Sequence, residues 1–282
     1  MADFGSRLER TFESRGHLSL GIDPHAFLLA EWGLPDSASG ARELGLRAVE
    51  AAAGVIGIVK PQVAFFERFG SAGYAALEAV LAAARDAGLL TIADAKRGDV
   101  GSTVSAYGEA WLTPGSPLEA DAMTVVAYQG VGSLTGPIDL ATTHGKGVFV
   151  LAATSNPESV DTQSAARTTG PFAGWTVAAS IVGEVDQLNS EARGLGSVGV
   201  VIGATADAAE YGILADALTR TPILAPGFGE QGALVTEVSA LYGDAARNVI
   251  AHVGRSVLGS GPDGLAAALA HQADELKKAI AK

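Results

Sequence analysis

Short apolar runs rich in branched residues recur along the chain. They lie at 18–23 (LSLGID), 55–61 (VIGIVKP), 89–95 (LLTIADA), 122–127 (AMTVVA), 147–153 (GVFVLAA), 197–203 (SVGVVIG), 222–226 (PILAP) and 248–253 (NVIAHV). The runs are continuously apolar rather than alternating, as expected of strands buried on both faces of a parallel sheet. Between them lie Ala-, Glu- and Leu-rich stretches whose apolar residues recur at helical spacing. They predict helices at 41–53, 71–87, 102–112, 134–143, 173–192, 205–219, 231–242 and 263–280. This order of β-then-α units has no compositional break, and it predicts one (β/α)8 TIM barrel of class α/β spanning 1–282. A doubly wound open sheet is the structural rival, but no G-x-G-x-x-G follows the first strand.

Two connections are long. Residues 24–40 follow the first strand, and residues 155–172, rich in Ser, Thr, Pro and Gly, follow the fifth. Both leave the C-terminal ends of strands, where a barrel builds its active site. Each reads equally as a lid or as a tolerated surface insertion.

Composition narrows the function classes. Of 282 residues, 48% are hydrophobic, enough to fill a large core. No apolar run approaches the roughly 20 residues of a membrane span. The N-terminal MADFGSRLERTFESRGH carries mixed charge and does not resemble a signal peptide. The absence of cysteine excludes disulfides, thiolate metal sites and a Cys nucleophile, and suits a cytoplasmic protein. A net charge of −12 disfavours nucleic-acid partners, while leaving room for an anionic substrate in a locally basic cleft.

The most informative segment is Asp94-Ala95-Lys96-Arg97-Gly98-Asp99-Val100-Gly101-Ser102-Thr103, where the third strand ends. Asp94 and Lys96 are two apart, so a strand directs both to one face. Charges there are costly unless they pair. A solvated ion pair in a plain exit loop is the bland reading. Asp99 adds a third charge and Gly98 a hinge. Lys60 ends the second strand and Asp23 the first. Three successive strands thus deliver Asp, Lys and Asp-x-Lys to one rim. A magnesium site built from the carboxylates would face repulsion from the interleaved lysine.

A second constellation suits phosphate. The seventh strand runs into Pro226-Gly227-Phe228-Gly229-Glu230-Gln231-Gly232, and the eighth into Val253-Gly254-Arg255-Ser256. Glycines let backbone N–H groups approach an anion, arginine grips phosphate bidentately, and these two loops are the usual phosphate site of barrel enzymes. Histidines 17, 25, 144, 252 and 271 have no metal-ligand spacing and read as structural or surface residues. No G-x-S-x-G marks a nucleophilic serine.

The segment DAKRGDVGST resembles the D-x-K-x-x-D signature of the orotidine 5′-phosphate decarboxylases. With GIDP, VKPQ, TSNP, APGFGEQG and VGRS in family order, the resemblance covers nearly the whole barrel. The KRGD form, the Thr154-Ser155-Asn156-Pro157 segment and the long chain are similar to the family's second, bacterial-type subgroup. The resemblance implies decarboxylation of orotidine 5′-phosphate to uridine 5′-phosphate, the last step of de novo UMP synthesis, without a cofactor and without a metal. It implies that Lys96 protonates C6 of the pyrimidine and that Asp94 faces the substrate carboxylate. Lys60, Asp94, Lys96 and Asp99 would form an alternating charge network. It also implies a homodimer in which Asp99 and Thr103 complete the neighbouring subunit's site. Asp23 and Lys60 would bind ribose hydroxyls. Ser155, with Thr154 and Asn156 as alternatives one position away, would meet the pyrimidine edge. Pro226, Gln231, Gly254 and Arg255 would line the phosphate side, and phosphate binding would close the loop around Gln231.

Three other readings compete. The sister 3-keto-gulonate-6-phosphate decarboxylases share the signature but carry a magnesium-binding carboxylate on the second strand, where this chain has Lys60. A barrel that only binds a phosphorylated ligand would be expected to lack Lys96 or an Asp of the network. An aldolase or isomerase of the same architecture could use Lys60 or Lys96, the aldolase through a Schiff base.

Overall fold

The computed structural model describes residues 2–281. Eight strands close into a parallel barrel in sequence order: β1 (Leu18–Ile22), β2 (Ile58–Pro61), β3 (Leu90–Arg97), β4 (Ala122–Val125), β5 (Gly147–Ala153), β6 (Val198–Ile202), β7 (Ile223–Pro226) and β8 (Val249–Val253). Closure is made by β1 pairing with β2 on one side and β8 on the other, with Ser19 in register with both Ile58 and His252. The predicted (β/α)8 barrel is therefore the observed fold, and all eight strands fall on their predicted segments.

The helices are α1 (Phe4–Arg15), α2 (Ala26–Glu31), α3 (Ala38–Ala52), α4 (Val63–Glu67), α5 (Gly70–Asp86), α6 (Gly101–Leu112), α7 (Thr135–His144), α8 (Ser159–Gln163), α9 (Val177–Leu188), α10 (Val238–Tyr242), α11 (Arg255–Leu258) and α12 (Gly261–Ile280). Helices α3, α5, α6, α7 and α12 match the sequence reading closely. Among the described residues no helix is long and apolar enough to cross a membrane.

Other helices differ from expectation for local reasons. The predicted helix at 205–219 is a series of turns, with only a 3-10 segment at Ala215–Leu218. Its Ala/Leu composition is helical, but Asp207 folds its carboxylate onto the Ala209 N–H, and Gly212 takes φ +66°. A left-handed residue ends an α-helix. The predicted helix at 231–242 starts late, because Gly232 lies at φ +104° and Glu237 accepts from the Leu234 N–H; a 3-10 turn (Val235–Glu237) precedes α10. The one at 173–192 contracts to α9, since the Thr176 hydroxyl accepts from the Ala179 N–H and fixes the start there.

The sequence pattern does not announce α1, and this helix matters for the architecture. Asp3 caps it by accepting from the Ser6 N–H. Its Phe4 and Leu8, one turn apart, join Ile58, Leu90, Ile92, Ala122, Phe149, Val201, Leu224 and Ile250 in the cluster that fills the barrel. Phe4 meets Phe149 edge-on at 5.9 Å. On the flank, Arg7 pairs with Asp121 and donates to the Gly145 carbonyl at 3.1 Å. The helix plugs the N-terminal end of the barrel. A larger cluster, including Leu20, Val59, Ala93, Val148, Val200 and Ala251, packs the outward strand faces against the helical ring. The inward rows therefore read Ile58-Lys60, Ile92-Asp94 and Ile250-His252: apolar below, polar at the C-terminal rim.

Candidate active site

The C-terminal rim opens into a cavity of about 300 Å³. Lys60 and Asp94 reach it from adjacent strands and are both buried. Lys60 Nζ donates to Asp94 Oδ2 at 2.5 Å, and Lys96 Nζ donates to Asp94 Oδ1 at 2.5 Å. The Thr124 hydroxyl, from β4, also donates to Asp94 Oδ1 at 2.9 Å. One carboxylate thus holds two ammonium groups and a hydroxyl. Burial alone would push the Asp94 carboxyl up, but Lys60 and Lys96 outweigh it and hold the group well below the usual carboxylate range.

The strand does not stay regular to its end. Register between β3 and β4 shifts between Ala93 and Arg97, and Lys96 adopts φ +46°, the one positive value at a described residue other than glycine. That conformation is uncommon for a lysine and is held only where surroundings over-determine it. Here the Lys96 N–H donates to the Thr124 hydroxyl at 2.9 Å while its ammonium is held by Asp94. The side chain of Lys96 remains 44% exposed against 5% for Lys60, so Lys96 is the triad's reachable cation. Arg97 turns outward, bonding Glu67, the Tyr74 hydroxyl and the Ala95 carbonyl, and so braces the bulge from outside.

Asp23 directly follows β1 at the cavity edge. Its Oδ1 is buried without a hydrogen-bond partner among the described residues. Burial raises its carboxyl above the usual range, with Lys60 pulling the other way. Pro226, Gly227, Phe228, Glu230, Gln231, Gly254 and Arg255 form the opposite wall. Gly227 at φ +121° and Gly229 at φ +84° let the loop turn; a Cβ on Gly229 would lie 2.3 Å from the Ser256 hydroxyl. Arg255 Nη1 lies 3.9 Å from Glu230 Oε1, a loose pairing that leaves the guanidinium available. Thr154, Ser155 and Asn156 complete the wall from β5, and the Ser155 hydroxyl donates to Gln231 Oε1 at 3.2 Å.

The cavity thus brings together Asp23, Lys60, Asp94, Lys96, Ser155, Pro226, Gln231, Gly254 and Arg255, all singled out from the sequence. It does not bring in Asp99 or Thr103. The Asp99 carboxylate accepts from the next residue's N–H, Val100, at 2.8 Å, and Thr103 is exposed on α6. Sequence reasoning missed Thr124, Gln62, Phe65 and the apolar floor of Leu151, Val201 and Leu224. His252, read from sequence as structural or surface, lines the cavity, buried, with Nδ1 unpartnered among the described residues. Burial holds its imidazole well below the usual range, and so neutral. Its place two residues before Gly254 on an inward row was the available signal. The imidazole fits because Gly21 opposite has no side chain; a Cβ there would lie 2.7 Å from its ring.

The long segments are ordered parts of this rim. Within 24–40, α2 buries Leu28 and Leu29, Trp32 donates to the Leu258 carbonyl at 2.9 Å, and Arg68 ties Asp36 at 2.5 Å. Within 155–172, α8 is followed by an antiparallel bridge from Ala166 to Thr176 and an Arg167–Glu184 ion pair.

A buried carboxylate between two lysines, facing a glycine- and arginine-lined wall, can bind a phosphorylated ligand and place an ammonium against it. Comparison with known proteins agrees. Residues 16–270 match the model of the orotidine 5′-phosphate decarboxylase / HUMPS family. The chain is 48% identical over 276 residues to the orotidine 5′-phosphate decarboxylase of Salinispora arenicola, covering 98% of this chain and 96% of that one. It is also 48% identical over 264 residues to the enzyme of that name from Streptomyces coelicolor, covering 93% and 92%. A crystal structure from Streptomyces avermitilis that carries the same enzyme name superposes with a TM-score of 0.94 at 45% identity, over 100% of this chain and 97% of that one. The OMP decarboxylase of Leishmania donovani, 28% identical and fully covered by the match, superposes at 0.78. On this pattern of residues, geometry and likeness, the chain belongs to the orotidine 5′-phosphate decarboxylase / HUMPS family.

Proposed function

We propose that the Lys60–Asp94–Lys96 triad is where this enzyme decarboxylates orotidine 5′-phosphate to uridine 5′-phosphate and CO2, the last step of de novo UMP synthesis. The single observation that carries the residue assignment is the Asp94 carboxylate held at 2.5 Å by both lysines at the mouth of the cavity. Loss of CO2 leaves an electron pair at C6. The ammonium of Lys96 stabilises that developing charge and then delivers its proton there. Asp94 aims the Lys96 ammonium, and its charge faces the substrate carboxylate. Lys60 neutralises Asp94 from the other side and, with Asp23, takes the ribose hydroxyls. The unpartnered Oδ1 of Asp23 is an acceptor suited to such a hydroxyl.

Ser155, flanked by Thr154 and Asn156, meets the pyrimidine edge. The loop bearing Pro226 and Gln231, with Gly254 and Arg255, takes the phosphate. Binding energy gathered there, far from C6, is available to close the loop and lower the barrier. A magnesium-dependent sugar-phosphate decarboxylase fits less well, because the one carboxylate at the centre already faces two ammonium groups. We further propose that the whole chain is this one barrel domain, that it works in the cytoplasm, and that it pairs as a homodimer. Asp99 and Thr103, which do not line their own chain's cavity, would then complete the partner's site.

The test is ultraviolet absorbance of orotidine 5′-phosphate with purified protein in EDTA, beside the Lys96→Ala variant. A fall with wild type and none with Lys96→Ala is expected. Decarboxylation by Lys96→Ala at the wild-type rate would overturn the proton-donor assignment. No fall with folded wild type would overturn the substrate.

A further inference from the structure

We infer that Gln163, at the end of α8 in the segment inserted after β5, is a positioning residue for the cavity wall. It fixes the turn of Thr154, Ser155 and Asn156 so that the Ser155 hydroxyl faces the ligand and Gln231. This rests on the reading above that the turn meets the pyrimidine.

The hydrogen bonds around this turn converge from one side. Gln163 Oε1 accepts from the Thr154 N–H at 2.8 Å, and Gln163 Nε2 donates to the Thr154 hydroxyl at 2.9 Å. The amide is thus used at both ends on a single residue. The Thr154 hydroxyl, while accepting from Gln163, donates onward to Asn156 Oδ1 at 2.7 Å. From the first turn of α8, the Ser159 hydroxyl lies 2.8 Å from the Thr154 carbonyl and 2.6 Å from that of Asn156. Tyr211, buried, contacts the Ser159 hydroxyl at 2.7 Å. Both neighbours of Ser155 are therefore held through backbone and side chain, and the serine between them faces the cavity.

A strut of this kind removes conformational freedom before the ligand arrives, so less ordering cost falls on binding. Gln163 is half-buried at the surface, so its removal opens no core cavity. Its bonds end on a residue of the cavity wall. A polar residue with that pairing acts through the wall rather than through the core.

Titration calorimetry with UMP and with ribose 5-phosphate, on wild type, Gln163→Leu, Gln163→Glu and Ser155→Ala, tests this, with thermal melting as a fold control. Gln163→Leu is expected to weaken UMP about tenfold, the scale of lost hydrogen bonds to a fixed wall. Its ribose 5-phosphate affinity is expected to change less than about twofold, with the melting temperature lowered by no more than about a few degrees. Gln163→Glu should recover part of the loss, since its carboxylate still accepts from the Thr154 N–H but no longer donates to the Thr154 hydroxyl. Ser155→Ala should also weaken UMP selectively. If Ser155→Ala does so while Gln163→Leu weakens both ligands equally or neither, the positioning role fails and the base-contact reading stands. If Ser155→Ala spares UMP, the base-contact reading fails and takes the positioning role with it.

Discussion

Thr124 and Lys96 are joined in a closed loop of hydrogen bonds. The Lys96 N–H donates to the Thr124 hydroxyl, and that hydroxyl donates to the Asp94 oxygen that also holds the Lys96 ammonium. The positive φ of Lys96 and the aim of its side chain therefore depend on one hydroxyl of the neighbouring strand.

Thr124→Val keeps shape and burial but removes both bonds. It leaves the Lys96 N–H without its partner at the rim, and should cost about 1–3 kcal/mol of stability. It should also lower kcat roughly tenfold or more, with a smaller change in KM, because the loss falls on the aim of the ammonium. Steady-state kinetics and chemical denaturation check both. An unchanged kcat would free Lys96 from Thr124.

Mixing two weak variants tests the proposal that the site is shared between subunits. If Asp99 completes the partner's site, a dimer of one Asp94→Ala chain and one Asp99→Ala chain would have one site with both aspartates altered and one with both intact. Random pairing should therefore restore roughly a quarter of the wild-type sites. The check is activity after co-refolding equal amounts, against each variant alone. No gain on mixing would contradict a site completed across two subunits.

If Arg255 holds the phosphate as proposed, Arg255→Ala should weaken UMP by roughly tenfold or more while changing uridine affinity little, since only the nucleotide would present a phosphate to the guanidinium. Competitive inhibition by the two ligands measures it. Equal losses would put the phosphate elsewhere.

Acid sensitivity has a legible source at the barrel's base. His17 stacks on Phe12 at 3.8 Å, with Nδ1 3.1 Å from the Val249 carbonyl. Burial lowers its imidazole to about 4 from an ordinary 6.5. Folding favours the neutral ring, so the unfolded chain binds the proton first. Its contribution to stability is complete above pH 6.5 and is lost as pH falls from there towards 4. The buried His252 acts in the same direction. Denaturation midpoints across this window should fall less steeply for His17→Asn than for wild type.

Much of this architecture could be read from the chain because it rests on contrasts that survive without coordinates. Charged Lys60 and Asp94 at the ends of apolar strands stand out, as do paired glycines beside Arg255. Thr124 does not, since threonine is an ordinary strand residue and only the geometry shows that it ties Lys96 to Asp94. Helix α1 hid because its apolar stripe is little more than Phe4 and Leu8 among charged neighbours. Residues 205–219 misled in the opposite way: their composition is helical, but Asp207 and Gly212 commit the backbone to turns. Asp99 and Thr103 mark the boundary of what one chain can tell, being next to the triad in sequence and outside its cavity in space.

The plug formed by Phe4 and Leu8 turns the barrel into a blind well. With the site placed as proposed, nucleotide, CO2 and product would share one doorway, at the rim where Ser155 bonds Gln231. Any motion that shuts this doorway behind the substrate also detains both products, so traffic through it is a single queue.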